Sequence, residues 1–111
     1  MTDRIRIVIA DDQALVRSAL RLILEGDPDL TVLGEAADGQ GALDAARRLR
    51  PDIILLDLHM PGRDGVWASE QISELVPEVK ILVLTAFDTD RLVSSALRAG
   101  AVGFLLKDSS P

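Results

Sequence analysis

The chain has 111 residues with no cysteine and a net charge of −6 at neutral pH. This length indicates one domain, and the lack of Cys excludes disulfides and thiolate metal sites, as is typical of a cytoplasmic protein. The negative charge argues against nucleic-acid binding by this segment, and no apolar run approaches the roughly 20 residues that span a membrane.

Five short apolar runs predict β-strands. The first, Ile5–Ala10, has apolar residues on both pleat faces, as expected for a strand covered on both sides. The second, Leu30–Ala36, places Thr31 and Glu35 on one pleat face and resembles an edge strand. The remaining strands are predicted at 53–56, 81–84 and 102–106.

Between the strands, apolar residues recur at helical spacing and predict four amphipathic helices. Their apolar positions are Leu15, Val16, Ala19, Leu20 and Ile23, then Ala42, Ala45, Ala46 and Leu49, then Val66, Ile72, Leu75 and Val76, then Leu92, Val93, Ala96 and Leu97. Strict alternation of strand and helix predicts an α/β fold with a parallel sheet and helices on both faces.

Polar residues stand where the predicted strands end. The first strand is followed by Asp11 and Asp12, the third by Asp57, the fourth by Thr85 and the fifth by Lys107. In an open parallel sheet the binding crevice lies at these carboxyl ends, where the strand order reverses. If the order is 2-1-3-4-5, the first and third strands are neighbours. The three carboxylates then converge, with the hydroxyl and the ammonium beside them.

Three close carboxylates repel one another unless a cation neutralises them. Mg²⁺ suits such a site because it prefers oxygen ligands and bridges to phosphate. The expected ligands are Asp12 and Asp57 directly, the main-chain carbonyl of His59, and Asp11 through water. A carboxylate held there can attack phosphorus and form an aspartyl phosphate, while metal, ammonium and hydroxyl stabilise the phosphoryl oxygens.

Each of these residues also has a purely structural explanation. Asp11 or Asp12 alone fits a helix N-cap, Thr85 alone fits an ordinary strand end, and Lys107 alone fits a solvated charge. Their joint occurrence at the same ends of the strands favours a functional site.

Over essentially its whole length the sequence resembles the receiver domain of bacterial two-component response regulators, which has a flavodoxin-like three-layer fold. The resemblance is carried by Asp11-Asp12, Leu55-Leu56-Asp57-Leu58-His59-Met60-Pro61-Gly62, Asp64-Gly65, Leu84-Thr85-Ala86 and Gly103-Phe104-Leu105-Leu106-Lys107. The segment 99–108 resembles the NarL/FixJ branch, whose receivers usually precede a LuxR-type helix-turn-helix domain.

The resemblance implies that Asp57 accepts a phosphoryl group from a sensor histidine kinase. Such a domain is modified once and slowly hydrolyses itself, so we do not expect a turnover enzyme. Thr85 is expected to turn toward the phosphoryl group while Phe104 swings inward. Family geometry also places His59 and Phe87, each two residues beyond a site residue, beside the path of the hydrolytic water.

Related receivers have a fifth helix after the fifth strand, and residues 108–111 resemble a helix start. We therefore expect residues 1–111 to be a receiver truncated before its last helix. The parent protein is expected to continue into a DNA-binding domain that controls transcription. Apolar atoms of Leu105 and of one face of the first strand should then be uncovered and favour a homodimer.

Three other interpretations compete with this one. A phosphatase or phosphotransferase of the haloacid-dehalogenase type also uses an aspartyl nucleophile, Mg²⁺, Thr and Lys, but in an Asp-x-Asp arrangement after its first strand. A flavodoxin-like flavin or nucleotide module cradles phosphate with a Gly- or Ser/Thr-rich loop there, where this chain places negative charge. A degenerate receiver typically lacks one of the acidic, Thr or Lys positions that are present here.

Overall fold

The computed structural model describes residues 4–85 and 90–106, and of residues 85, 90–93 and 104–106 it describes the main chain only. The elements are β1 (Ile5–Ala10), α1 (Ala14–Glu25), β2 (Leu30–Ala36), α2 (Gly39–Leu49), β3 (Ile53–Asp57), α3 (Gly65–Leu75), β4 (Lys80–Thr85), α4 (Asp90–Arg98) and β5 (Gly103–Leu106). The predicted alternation of strand and helix is confirmed. Among the helices of these ranges, none is long and apolar enough to cross a membrane.

The five strands form one parallel sheet in the order β2-β1-β3-β4-β5. This is the predicted order, and β2 lies at an edge, as its weaker pattern indicated. Because β1 and β3 are neighbours, the residues that follow them emerge side by side at the carboxyl edge. The strand order reverses at this point, which is where α/β sheets of this kind form their binding crevice.

Apolar side chains on the two faces of the sheet form two separate clusters. The larger contains Val8 and Ala10 of β1 together with residues of α2, α3 and α4. The smaller contains Ile7 and Ile9 of β1, against which Leu20 of α1 packs. This explains why β1 is apolar on both pleat faces.

Helix α1 covers its side of the sheet incompletely. None of its residues is buried, and Leu15 and Ile23, two of the apolar positions that predicted this helix, are 83% and 72% exposed. The expected exposure of one face of β1 is found only at its first residue: Ile5 is 42% exposed, whereas Ile7 and Ile9 on the same face are 4% and 0% exposed. The three most exposed large apolar side chains of the described residues, Leu15, Leu22 and Ile23, belong to α1. The Leu105 side chain is outside the described part.

A bulge interrupts the pairing of β1 with β2. Ile7 pairs with Val32 but Val8 pairs with Gly34, so one residue of β2 is skipped. Four residues apart, Val32 and Ala36 would share a face of a regular strand, yet they belong to different apolar clusters. The predicted common face of Thr31 and Glu35 is therefore wrong, because the bulge reverses the alternation between them.

Candidate functional site

The structure brings together the three carboxylates that follow β1 and end β3. Asp11, Asp12 and Asp57 each offer an oxygen atom, and these atoms all lie within 4.8 Å of one another. The register explains this convergence, because Ala10 of β1 pairs with Leu56 of β3 and the acidic residues come next in each strand. Three negative charges thus meet at the reversal point of the sheet.

Burial differs among the three carboxylates. Asp11 is 0% exposed and Asp57 is 2% exposed, whereas Asp12 is exposed. Removing a carboxylate from water is costly unless hydrogen bonds or a cation compensate. The cluster therefore combines two buried carboxylates with one that is open to solvent.

The acidic pair is held by main-chain contacts on both sides. The Asp11 amide donates to the carbonyl of Ala36 in β2 at 2.9 Å, and the Asp11 carboxylate accepts from the Gln13 amide at 2.9 Å. Gln13, rather than either aspartate, is the N-cap of α1, and it makes no side-chain capping hydrogen bond. The N-cap explanation of Asp11 and Asp12 is therefore not what the structure shows.

The loop after β3 wraps around the end of the Asp57 side chain. The His59 amide donates a hydrogen bond to Asp57 Oδ1 at 3.1 Å. At the end of the loop, the Gly65 amide donates to the Leu58 carbonyl at 3.3 Å. A Cβ atom on Gly65 would lie 2.3 Å from the Asp57 carbonyl oxygen, so only glycine permits this close approach of the two main-chain segments. The loop thereby keeps the main chain of His59 beside the carboxylates.

The other predicted site residues are described less fully. Thr85 ends β4, whose Leu84 pairs with Asp57, so its main chain lies at the same edge of the sheet. Phe104 lies in β5 opposite Val83. The side chains of Thr85 and Phe104, and the whole of Phe87 and Lys107, lie outside the described residues.

Reasoning from the sequence did not identify one residue that contacts the main chain of the acidic pair. Arg17 Nη1 donates to the Asp11 carbonyl at 2.6 Å, and Arg17 Nε donates to Glu35 at 3.0 Å. A basic residue one turn into the helix that follows an acidic pair is a signal that could have found it. The partner Glu35 could not be found, because the β2 bulge decides which face it occupies.

The donor set of the carboxylate cluster fits Mg²⁺. It consists of carboxylate oxygens, and the whole chain has no cysteine. Hard divalent cations prefer such oxygen ligands, and Mg²⁺ takes one or two carboxylates while keeping several waters. Asp12 is exposed, so the cluster is accessible to water on that side.

The fold agrees with comparisons to known proteins. A family model described as the response regulator receiver domain matches residues 7–111. The chain is 46% identical over 109 residues to the uncharacterized transcriptional regulatory protein YxjL of Bacillus subtilis (strain 168), covering 98% of this chain and 50% of YxjL.

Solved structures show the same relationship. The receiver domain of the putative response regulator NarL from Mycobacterium tuberculosis superposes with a TM-score of 0.92 at 37% identity, covering 97% of this chain and 87% of that one. A chain of the CheX–CheY–BeF₃⁻–Mg²⁺ complex from Borrelia burgdorferi superposes with a TM-score of 0.89 at 25% identity. The match covers 97% of this chain and 81% of that one.

The chain therefore belongs to the response regulator receiver family. Its relatives are of the NarL/LuxR type, as the sequence predicted. The haloacid-dehalogenase alternative is not supported. The chain spans about half the length of the curated relatives it matches.

Proposed function

We propose that this receiver is a phosphorylation switch in which Asp57 is the phosphoacceptor. The observation that carries the proposal is the convergence of Asp11, Asp12 and Asp57 within 4.8 Å at the reversal point of the sheet. Asp57 ends a strand, and its Oδ1 is engaged by the His59 amide. This contact orients the carboxylate and favours attack through its other oxygen.

In the proposed step, a carboxylate oxygen of Asp57 attacks the phosphorus of a phosphohistidine. The O–P bond forms, the N–P bond breaks, and the leaving imidazole recovers a proton. Asp12, Asp57 and the carbonyl of His59 are proposed to hold Mg²⁺ directly, and Asp11 through water. When bound, Mg²⁺ would offset the carboxylate charge and stabilise the developing charge on the phosphoryl oxygens.

The remaining site residues act after or beside this step. Lys107 supplies an ammonium to the phosphoryl oxygens, and the Thr85 hydroxyl turns toward them as Phe104 moves inward. Such a switch works only if phosphorylation stabilises one of two packings more than the other. His59 and Phe87 are proposed to shield the phosphoryl group from water.

The partner in this scheme is a sensor histidine kinase. The aspartyl phosphate of the domain is then hydrolysed slowly, without turnover of a separate substrate. We further propose that residues 1–111 are the receiver part of a longer cytoplasmic regulator. A helix-turn-helix domain beyond this chain would bind DNA and control transcription. Support comes from the name of YxjL, a transcriptional regulatory protein of about twice this length.

Intact-mass measurement after incubation with acetyl phosphate and Mg²⁺ tests the proposal. We expect the wild-type chain to gain one phosphoryl group, the Asp57→Ala variant to gain none, and chelation of Mg²⁺ to prevent the gain. Asp44→Asn is the matched control, because Asp44 is an exposed aspartate on α2 whose carboxylate contacts Gln40. An equal gain in Asp57→Ala would show that the phosphoacceptor is another residue.

A further inference from the structure

The main chain between Asp11 and Asp12 is held by a side chain of α1. We propose that Arg17 is a positioning residue for the cation site: its guanidinium ties the loop that bears the acidic pair to Glu35 of β2. This inference rests on the proposed function, because it assigns a role toward the Mg²⁺ that the three carboxylates are proposed to hold.

The contacts of Arg17 join three parts of the fold. Its Nη1 donates to the Asp11 carbonyl at 2.6 Å and its Nε donates to Glu35 Oε1 at 3.0 Å, while its own amide closes the first turn of α1 on Gln13 at 3.1 Å. The Arg17 and Glu35 side chains are 19% and 27% exposed. A guanidinium that is mostly buried and donates to two acceptors holds those acceptors more rigidly than an exposed ion pair can.

The contact to the Asp11 carbonyl matters for Asp12 because of the geometry of the peptide bond. The oxygen of Asp11 and the amide of Asp12 belong to one planar unit. Fixing that oxygen fixes the plane, and with it the direction in which the backbone enters Asp12. Asp12 is the exposed member of the cluster, so packing against the core does not orient it.

Helix α1 needs such a polar attachment because its apolar contacts with the sheet are limited. None of its residues is buried. The bulge in β2 turns Glu35 toward α1, where both Arg17 and Arg21 pair with it. The β1–α1 loop is therefore attached to β2 through Arg17 and Glu35, whereas Arg21 pairs with Glu35 without a hydrogen bond to the loop.

Charge alone predicts the opposite effect on metal binding. Arg17 is a cation near three carboxylates, so its removal would strengthen the attraction of the cluster for Mg²⁺ if only Coulomb energy mattered. If Arg17 acts by positioning, its removal weakens Mg²⁺ binding. The sign of the change separates the two effects.

Arg21 provides the matched control. It also pairs with Glu35 and lies one turn further along α1, and its remaining polar contacts are to Glu25 and the Val32 carbonyl. Replacing it removes the same charge from the same network but leaves the hydrogen bond to the Asp11 carbonyl. The difference between Arg17→Met and Arg21→Met therefore isolates the loop contact.

The test is a Mg²⁺ titration followed by the amide chemical shifts of the site loops. We expect Arg17→Met to weaken Mg²⁺ binding by about tenfold, as is typical when a group that orients a metal ligand is removed. Arg21→Met should bind as tightly as the wild type or more tightly. Unchanged or tighter binding in Arg17→Met would overturn the inference.

Two further measurements keep the test decisive. In metal-free protein, hydrogen exchange of the Gln13 amide, which donates to Asp11, should accelerate in Arg17→Met and stay unchanged in Arg21→Met. If Arg17→Met does not fold, Glu35→Gln removes the anchor while keeping Arg17 and should weaken binding in the same direction. A wild-type chain that does not bind Mg²⁺ would overturn the proposed function, and this inference with it, whereas binding that is insensitive to both variants would overturn the inference alone.

Discussion

The amide of Gly39, at the start of α2, donates to the carbonyl of Arg63 in the loop after β3 at 2.8 Å. A Cβ atom on Gly39 would lie 2.1 Å from that same oxygen. The approach of these two main chains is possible only because residue 39 has no side chain. It fixes the far end of the loop that begins at Asp57, so α2 supports the candidate site although it contributes no ligand.

We therefore expect Gly39→Ala to lower the free energy of unfolding by about 1–3 kcal/mol, the usual cost of overpacking. Gly41→Ala is the matched control on the same helix. Its Cβ would meet a carboxylate oxygen of the N-cap residue Asp38 at 3.1 Å and the Cβ of Ala36 at 3.4 Å, which are contacts with side chains and far longer than that of Gly39 with main chain. Ala is also the better helix former. Urea denaturation of both variants checks the prediction, and equal stability of the two would show that the α2–loop approach is not rigid.

Substitutions can distinguish a proposed metal ligand, Asp12, from the proposed switch residue, Thr85. We expect Asp12→Asn to lower Mg²⁺ affinity by more than about tenfold, equivalent to about 1.4 kcal/mol, because coordination loses a charged oxygen ligand. Thr85→Ala should leave Mg²⁺ affinity nearly unchanged and impair the response to phosphorylation, since Thr85 is not a proposed ligand. Titration of both variants with Mg²⁺ checks this. A large loss of affinity in Thr85→Ala would contradict the proposed ligand set.

The convergence of the three carboxylates could be predicted because it depends on few things. Apolar runs locate the strands, parallel strands end at one edge, and one assumption about strand order then brings Asp57 beside Asp11 and Asp12. The structure has this order. The pairing of Arg17 with Glu35 could not be predicted, because it depends on a one-residue bulge that the composition of β2 does not reveal.

The part of α1 that faces the sheet could not be predicted for a related reason. Apolar residues occupy most of the helix circumference and polar residues only a narrow face, so the pattern predicts an amphipathic helix without showing which part of its wide apolar face lies on the sheet. The structure packs Leu20 and Leu24 on the sheet and leaves Leu15 and Ile23 outside. Periodicity predicts the existence of such a helix but not its rotation.

An ion pair at the opposite edge of the sheet predicts a dependence of stability on acid. Hydrogen bonds from the Arg6 amide, at 2.8 Å, and from its side chain hold the pKa of Asp52 below its usual 3.8. Because the folded pKa is lowered, the stabilisation is complete above the unfolded value and is lost as pH falls through the folded one. Both side chains are nearly half exposed, so solvent screening limits the effect to less than about 1 kcal/mol.

We therefore expect Asp52→Asn to be slightly less stable than the wild type at neutral pH and equally stable once the pH is below the folded pKa of Asp52. Urea denaturation as a function of pH measures this difference. Arg6→Met should retain most of the dependence, since the Arg6 amide, the largest cause, remains. A difference between wild type and Asp52→Asn that persists in strong acid would rule out the ionised carboxylate as its source.

The outer face of α1 predicts self-association of this chain. Leu15, Leu22 and Ile23 are 83%, 78% and 72% exposed, and their spacing places them on one side of the helix. Large apolar side chains grouped on a surface favour contact with a partner, and a second copy of the chain presents the same group. We expect the wild type to dimerise in sedimentation experiments as its concentration rises.

The double variant Leu22→Gln/Ile23→Gln should shift this equilibrium toward monomer while leaving the unfolding free energy of the monomer nearly unchanged, because both side chains already face water. Leu20→Gln is the contrasting variant on the same helix. Leu20 is partly buried and packs against the cluster that contains Ile7 and Ile9, so this change should cost about 1–3 kcal/mol of stability through a buried polar group. Undiminished dimerisation of the double variant would place the contact on another surface.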